Sequence, residues 1–420
     1  MQRFVVKGGD NLHGEVRISG AKNAALPIIA ASLLNHKRVV LDNVPDLVDV
    51  RTMIELVEYI GSKVEFKDNT LAIETPEIKN IEAPYDIVRK MRASYYVLGA
   101  LLARSRQAKV SLPGGCAIGP RPVDLHIKGL RSIGVDIDIE EGFIKAKAKK
   151  MTGREINLQG PKGTSVGATI NVMIAAAGAE GDTIINSAAC EPEVVDVADF
   201  LNAMGCHITG QGTHTIIIKG GVSLENVQYA IIPDRIEAGT FAVAAVMTNG
   251  HIRITHCRPD HMTSVLDLLE EAGGRIIREK GSLTINGYKG KKAVNVYVAP
   301  YPGFPTDMQA QFMAFLCTVP GTSTIKETIF ENRFMQAVEL MRMGADITIE
   351  GDMAVIRGVK KLSSARLMAS DLRASASLVL AGLVAKGETA VRRIYHLDRG
   401  YENFEVKLQN IGAHIIRQAE

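Results

Sequence analysis

Residues 111–125 read Ser-Leu-Pro-Gly-Gly-Cys-Ala-Ile-Gly-Pro-Arg-Pro-Val-Asp-Leu. A single thiol, Cys116, and a single fixed cation, Arg121, share this loop with two helix-breaking clusters, Pro113-Gly114-Gly115 and Gly119-Pro120-Arg121-Pro122. The backbone amides of such a loop have no regular partners and turn to solvent or a ligand. A guanidinium beside a thiol lowers its pKa from the free value of about 8.5 and makes it more reactive. The plain alternative is a surface loop with an incidental cysteine.

Other charged residues stand where long apolar segments begin. Lys22-Asn23 opens the segment that starts Ala24-Ala25-Leu26-Pro27. Arg89, Lys90 and Arg92 precede another, Asp307 another, and Asp371 and Arg373 the last. Helix N-termini attract anions. With Lys22, Arg92, Arg121 and Arg373 added, they suit a substrate carrying several phosphates or carboxylates. A cation there opposes the helix dipole, so several together suggest purpose, with surface salt bridges as the plain alternative. Asp307, in Phe304-Pro305-Thr306-Asp307-Met308-Gln309, is either a helix N-cap or, facing basic groups, a general base. Glu331-Asn332-Arg333-Phe334 and Asp398-Arg399-Gly400-Tyr401 are further charged clusters. No Walker loop, Gly-x-Gly-x-x-Gly, His-Glu-x-x-His or Gly-x-Ser-x-Gly is present. His13, His36, His126, His256, His261 and His396 lack metal-ligand spacing and read as ordinary core or surface histidines.

The elements that position these groups repeat. An apolar-Gly-x-x-apolar pattern recurs at Gly61, Gly134, Gly205, Gly273, Gly344 and Gly412, about 70 residues apart. Each glycine follows an amphipathic helix and caps it in the left-handed conformation. In the first such helix Leu47, Val50, Ile54 and Val57 form the apolar face, and Asp46, Asp49, Arg51, Glu55 and Glu58 are expected to face out. Upstream in each unit lies a helix apolar nearly all round, within 24–34, 95–103, 166–179, 239–247, 308–317 and 374–384. A helix with no polar face is buried. Six cannot share one ordinary core, so the expectation is an α/β protein of two similar domains with three buried inner helices each. The expected domains are 22–232 and 1–21 plus 233–420, with ligands between them.

Composition narrows the class. Lys and Arg exceed Asp and Glu by 49 − 46 = 3, with no basic run or aromatic platform, which argues against nucleic acid. The five cysteines are widely spaced without Cys-x-x-Cys, which suits a reducing cytosol and neither disulfides nor zinc. No apolar run is long enough for a membrane span.

Together, Gly20-Ala21-Lys22-Asn23-Ala24, the Cys116 loop, Pro305-Thr306-Asp307-Met308-Gln309, Glu331-Asn332-Arg333-Phe334-Met335 and Ala369-Ser370-Asp371-Leu372-Arg373 resemble the enolpyruvyl transferases over the whole chain. Within them the likeness is to the branch whose acceptor is UDP-N-acetylglucosamine, in bacterial peptidoglycan synthesis. The resemblance implies a two-domain inverse α/β barrel of six βαβαββ units. It implies that the enolpyruvyl group of phosphoenolpyruvate passes to the sugar 3′-hydroxyl and phosphate leaves. By position, Cys116 matches the proton donor to phosphoenolpyruvate C3. Lys22, Asn23, Arg121 and Arg399 match the phosphoenolpyruvate clamp. Arg92, Arg121, Pro122, Val123, Asp124, Leu125, Asp307 and Ile329 match the nucleotide-sugar site, and Asp307 also the base. Arg333, Asp371 and Arg373 match supporting positions, and Lys162 stands near the family's nucleotide-binding lysine. No metal, organic cofactor, obligate protein partner, nucleic acid or membrane is implied, and a cytoplasmic monomer is expected. Competing expectations are the branch acting on shikimate 3-phosphate, which lacks the cysteine loop, and a non-catalytic nucleotide-sugar-binding paralogue.

If Cys116 is the acid, a small phosphonate epoxide such as fosfomycin should alkylate it, faster when nucleotide sugar is bound. Cys116→Asp should retain activity with a pH optimum moved toward acid, because a carboxyl has a reference pKa of about 3.9 against about 8.5 for a thiol. It should also resist the epoxide. Intact mass and pH–rate profiles read both, and an adduct mapped to Cys190, Cys206, Cys257 or Cys317 would remove Cys116 from this role.

Overall fold

The computed structural model describes residues 2–112, 123–161, 163–221, 223–287 and 290–419. Cys116, Arg121, Pro122 and Lys162 lie outside the described residues. The described chain forms two compact units, one from 20–112 and 123–232, the other from 2–19 and 233–419.

Each unit holds three four-stranded sheets of one design, in which the first two strands are parallel and the rest antiparallel. In the 20–232 unit the plainest copy runs Glu155–Asn157, helix Val166–Ala177, Asp182–Asn186, helix Pro192–Ala203, His207–Thr209, Thr215–Lys219. Glu155–Asn157 pairs parallel with Asp182–Asn186, which pairs antiparallel with Thr215–Lys219. The expected βαβαββ unit is therefore present. The first sheet of this unit takes its parallel edge from the last strand, Val227–Ala230, set against Arg38–Asp42 with Val227 opposite Val39.

The second unit closes in the same way with N-terminal strands. His13–Arg17 is the parallel neighbour of His251–Thr255. Gln2–Lys7 lies antiparallel between Glu388–Arg392 and His414–Ala419. Parallel neighbours of this kind need a crossover or a distant segment.

The inner helices are Lys22–Ala31, Tyr96–Ser105, Val166–Ala177, Arg235–Met247, Gln309–Leu316 and Leu372–Val384. Past the first turn they are buried almost throughout: every residue of Ala24–Ala31 and of Ile236–Met247 is inaccessible or nearly so. The outer helices Val48–Ile60, Asp124–Ser132, Pro192–Ala203, Thr263–Glu271, Gln336–Arg342 and Phe404–Asn410 bury one face each. The six pattern glycines all take positive φ, from 89° at Gly344 to 136° at Gly61, where an L side chain is strained. Among the described residues no helix is long and apolar enough to cross a membrane.

One sequence expectation fails. Asp49 does not face out with Asp46 and Arg51; it is 3% exposed. A lysine at the start of the neighbouring inner helix holds it inward, and ion pairing overrides the amphipathic pattern.

Gly20 sets where that inner helix begins. A Cβ on it would fall 1.8 Å from the Asn43 carbonyl oxygen, a backbone atom with no room to move aside. Gly20→Ala should therefore destabilise the chain by about 1–3 kcal/mol or more in denaturant unfolding. A wild-type midpoint would mean that the 19–21 backbone relaxes freely.

Candidate active site

In the 20–232 unit, Lys22 and Asn23 occupy the first turn of the first inner helix, which has no side-chain cap. The Lys22 ammonium is 3.2 Å from the buried Asp49 carboxylate on the outer helix Val48–Ile60. Arg92 opens the single 3-10 turn Arg92–Tyr95 ahead of the second inner helix. Val123 immediately precedes the outer helix Asp124–Ser132, which Asp124 and Leu125 begin. Leu125 lies against Gly160, where a Cβ would come within 2.9 Å of it.

His126, the next residue, is held by Asn171. The Asn171 amide nitrogen donates to the Tyr95 carbonyl at 2.9 Å, and its oxygen accepts from the Gly99 amide at 2.7 Å. These two bonds fix the amide's orientation. The same nitrogen lies 3.1 Å from His126 Nδ1, which must therefore accept, leaving the ring proton on Nε2. Burial, aided by the charge of Arg92, pushes the His126 pKa down to about 4. The ring is thus a neutral donor, and a Cβ on Gly167, in the first turn of the third inner helix, would sit 3.1 Å from it. Tyr95 packs on it at 5.6 Å between centroids, and the buried Tyr95 hydroxyl has no partner among the described residues.

In the other unit the centre is Asp307, within the 3-10 turn Thr306–Met308. It caps no helix with its side chain. One carboxylate oxygen accepts from Arg333 and the other from Arg373, each at 2.8 Å. The arginine side chains are 4% and 5% exposed and the aspartate 27%. Burial alone would lower the Arg373 pKa, but the charges of Asp307 and Asp234 and the hydrogen bond to Asp307 outweigh it and the net shift is upward. Asp371 is spent on the backbone: it caps the last inner helix by accepting from the Arg373 and Ala374 amides at 2.9 and 3.0 Å. Ile329 lies in a turn held by Glu327, whose carboxylate accepts from the Ile329 and Phe330 amides and from the Thr306 hydroxyl beside Asp307. Arg399 ends the 3-10 turn Ile394–Arg399 and is half-buried. Burial first, and then the Arg399 charge, lowers the pKa of His396.

The structure therefore brings Lys22 to Asp49, and Arg333 and Arg373 to Asp307. Sequence reasoning missed Asp49, His126 and Glu327, three groups whose burial no local pattern announces. The four described cysteines are buried free thiols. Burial pushes Cys257 and Cys317 up to about 12 and Cys206 to about 11, which makes them poor nucleophiles. Among the described residues no group of three or more His, Cys, Asp or Glu could hold a metal ion.

Six α/β sheet units with buried inner helices carry cations and an arginine-gripped carboxylate at helix starts, an arrangement suited to handling anions. The chain belongs to the EPSP synthase family, whose model, EPSP synthase (3-phosphoshikimate 1-carboxyvinyltransferase), matches residues 6–408. Among curated relatives it is 54% identical over 416 residues to UDP-N-acetylglucosamine 1-carboxyvinyltransferase 1 of Caldanaerobacter subterraneus subsp. tengcongensis, covering 99% of each chain. It is 52% identical over 422 residues to UDP-N-acetylglucosamine 1-carboxyvinyltransferase 2 of Carboxydothermus hydrogenoformans, covering 100% of each. Among solved structures it matches the enolpyruvyl transferase NikO from Streptomyces tendae with a TM-score of 0.90 at 25% identity, over 99% of this chain and 98% of that one.

The neutral His126 has a pH signature. Its folded pKa of about 4 lies below the reference value of about 6.5, so the folded state binds a proton less tightly than the unfolded one. Stability should therefore be lost as pH falls from about 6.5 toward about 4. His126→Gln, which cannot be protonated, should lose Tm more gently across that window. A slope equal to wild type would show that the ring is not held neutral.

Proposed function

We propose that the chain transfers the enolpyruvyl group of phosphoenolpyruvate to the 3′-hydroxyl of UDP-N-acetylglucosamine, releasing phosphate, at the start of peptidoglycan synthesis. The observation that carries this is full-length identity above half to relatives named for that reaction, against a family model named for the shikimate branch. The Pro-Gly-Gly-Cys116 loop favours the same branch. Widely spaced cysteines without a Cys-x-x-Cys support a cytosolic location for this reaction.

The residues take these roles. Cys116 gives a proton to C3, making C2 electrophilic. The sugar oxygen bonds to C2 as Asp307 takes its proton. Loss of a C3 proton then re-forms the double bond as the C2–O bond to phosphate breaks. Lys22, Asn23, Arg121 and Arg399 hold the phosphate and carboxylate and stabilise the departing charge. Arg92, Arg121 to Leu125 and Ile329 take the nucleotide. Asp49 orients Lys22, and Asp371 sets the helix start that carries Arg373.

The test is phosphate release from phosphoenolpyruvate with each acceptor. Release should require UDP-N-acetylglucosamine and not occur with shikimate 3-phosphate. Binding of the nucleotide sugar with no release would instead make the chain a binding protein. In the active enzyme, Asp307→Ala should keep nucleotide-sugar binding and turn over roughly 10²–10⁴-fold more slowly. Near-normal turnover would reduce Asp307 to a partner for two arginines.

A further inference from the structure

The three inner helices of the 2–19 plus 233–419 unit pack mainly through apolar side chains, and one polar cluster lies among them. There Thr240, Gln311 and Tyr401 form a knot of hydrogen bonds, with Thr240 and Gln311 at 0% exposure and Tyr401 at 2%. The Tyr401 and Thr240 hydroxyls are 2.8 Å apart. The Gln311 amide nitrogen reaches Thr240 at 3.1 Å and Tyr401 at 3.2 Å. The Thr240 hydroxyl also meets the Ile236 carbonyl at 2.8 Å, which can only accept. Its one proton goes there, so the Tyr401 phenol donates to Thr240. Burial raises the Tyr401 pKa, which keeps the phenol neutral.

Such a knot is an expensive way to fill a core. Burying a phenol, an amide and a hydroxyl is worse than burying Phe, Leu and Val unless every group is paired. Here the Gln311 oxygen has no partner among the described residues. What the knot does is hold one ring. Tyr401 packs on Phe404 at 4.9 Å between centroids, and the Arg373 guanidinium lies 5.5 Å from the Tyr401 centroid. That guanidinium spends Nη2 on Asp307, while its buried Nη1 has no hydrogen-bond partner among the described residues. A long side chain with one nitrogen unpaired needs an external restraint to stay put, and the neutral ring supplies one by cation–π attraction.

We propose that Tyr401 is a positioning residue: pinned by Thr240 and Gln311, its ring holds Arg373 so that Asp307 stays aimed at the acceptor hydroxyl. Arg333 grips the other Asp307 oxygen from the segment before the outer helix Gln336–Arg342, so Tyr401 governs one of the two restraints. Gly400 seats the same loop on Leu372, the neighbour of Arg373, since a Cβ there would fall 2.5 Å from that leucine. The proposal rests on the role given to Asp307 above.

The experiment compares steady-state kinetics of wild type, Tyr401→Leu, Tyr401→Phe and Thr240→Val. Tyr401→Leu removes the ring and should lower kcat roughly 10–100-fold, with KM for UDP-N-acetylglucosamine within about threefold, since positioning errors act on the transition state. Tyr401→Phe keeps the ring but unpins it, and should recover only part of that loss, to roughly 3–10-fold below wild type. Thr240→Val unpins it and should fall near Tyr401→Phe. If Tyr401→Leu does not fold, the two milder variants decide, and a kcat at the wild-type level in both overturns the proposal. So does a folded Tyr401→Leu whose only defect is a lower Tm. A thermal-unfolding cycle of Tyr401→Leu with Asp307→Asn reads the coupling without activity. Non-additive Tm losses support the proposal, and additive losses overturn it. If the wild type releases no phosphate, the functional reading fails on its own, and the unfolding cycle still decides whether Tyr401 acts on Asp307.

Discussion

The constraint on which the chain depends is that an inner helix with no polar face has nowhere to place chemistry except its first turn. Beyond Ala24, Val97, Ala168, Ile236, Ala310 and Ala374 these helices are packed nearly dry. Most of the charge stands at or just before the first turn, as with Lys22, Arg92, Asp234, Glu237, Asp307, Asp371 and Arg373. Those are also the places where unpaired amides and the helix dipole favour anions. The folding constraint and the binding chemistry therefore select the same positions.

Cations at such positions oppose the dipole by about 0.3–1 kcal/mol each, a small term beside what fixes them. Breaking a buried ion pair by removing one partner costs about 3–5 kcal/mol. Lys22 with Asp49, and Arg333 and Arg373 with Asp307, are pairs of this kind. Asp371 contributes differently, as an N-cap worth about 1 kcal/mol that sets the start of the helix carrying Arg373. Two aspartates that look alike in sequence thus do unlike work: Asp371 serves the backbone, and Asp307 serves two side chains and keeps about a quarter of its surface accessible.

Much of this was legible in sequence because glycine and apolar periodicity are local signals. Six glycines about 70 residues apart mark six helix ends, and all six adopt positive φ. The inner helices were equally plain, since all-round apolarity has one physical outcome. Asp49 was misread because helical periodicity assigns a face by angle alone, and a partner from another helix is invisible to it. His126 was passed over for the same reason, since Asn171 and Arg92 reach it from 45 and 34 residues away (171 − 126 and 126 − 92). The knot of Thr240, Gln311 and Tyr401 spans 161 residues and carries no motif. Strand closure was half legible: the expected domains join 1–21 to 233–420, but only the register shows Gln2–Lys7 standing between Glu388–Arg392 and His414–Ala419.

The grip on Asp307 also bears on when it can act as a base. Two guanidinium charges at 2.8 Å favour the carboxylate over the acid, so a resting hydroxyl, with a far higher pKa, will not surrender its proton to it. The acceptor oxygen becomes strongly acidic only once it has bonded to carbon and carries positive charge. On the proposed reaction, proton transfer to Asp307 therefore follows or accompanies bond formation rather than preceding it. This ordering would place the burden of activation on the electrophile, where the proposal puts Cys116 and the anion-holding cations. It also explains why a carboxylate can be gripped so firmly and still be useful: its task is to be in place, oriented and ionised when an acidic proton arrives. Rigidity of Arg333 and Arg373 then matters more than intrinsic basicity, and a buried ring that fixes a guanidinium gains a catalytic consequence without touching substrate.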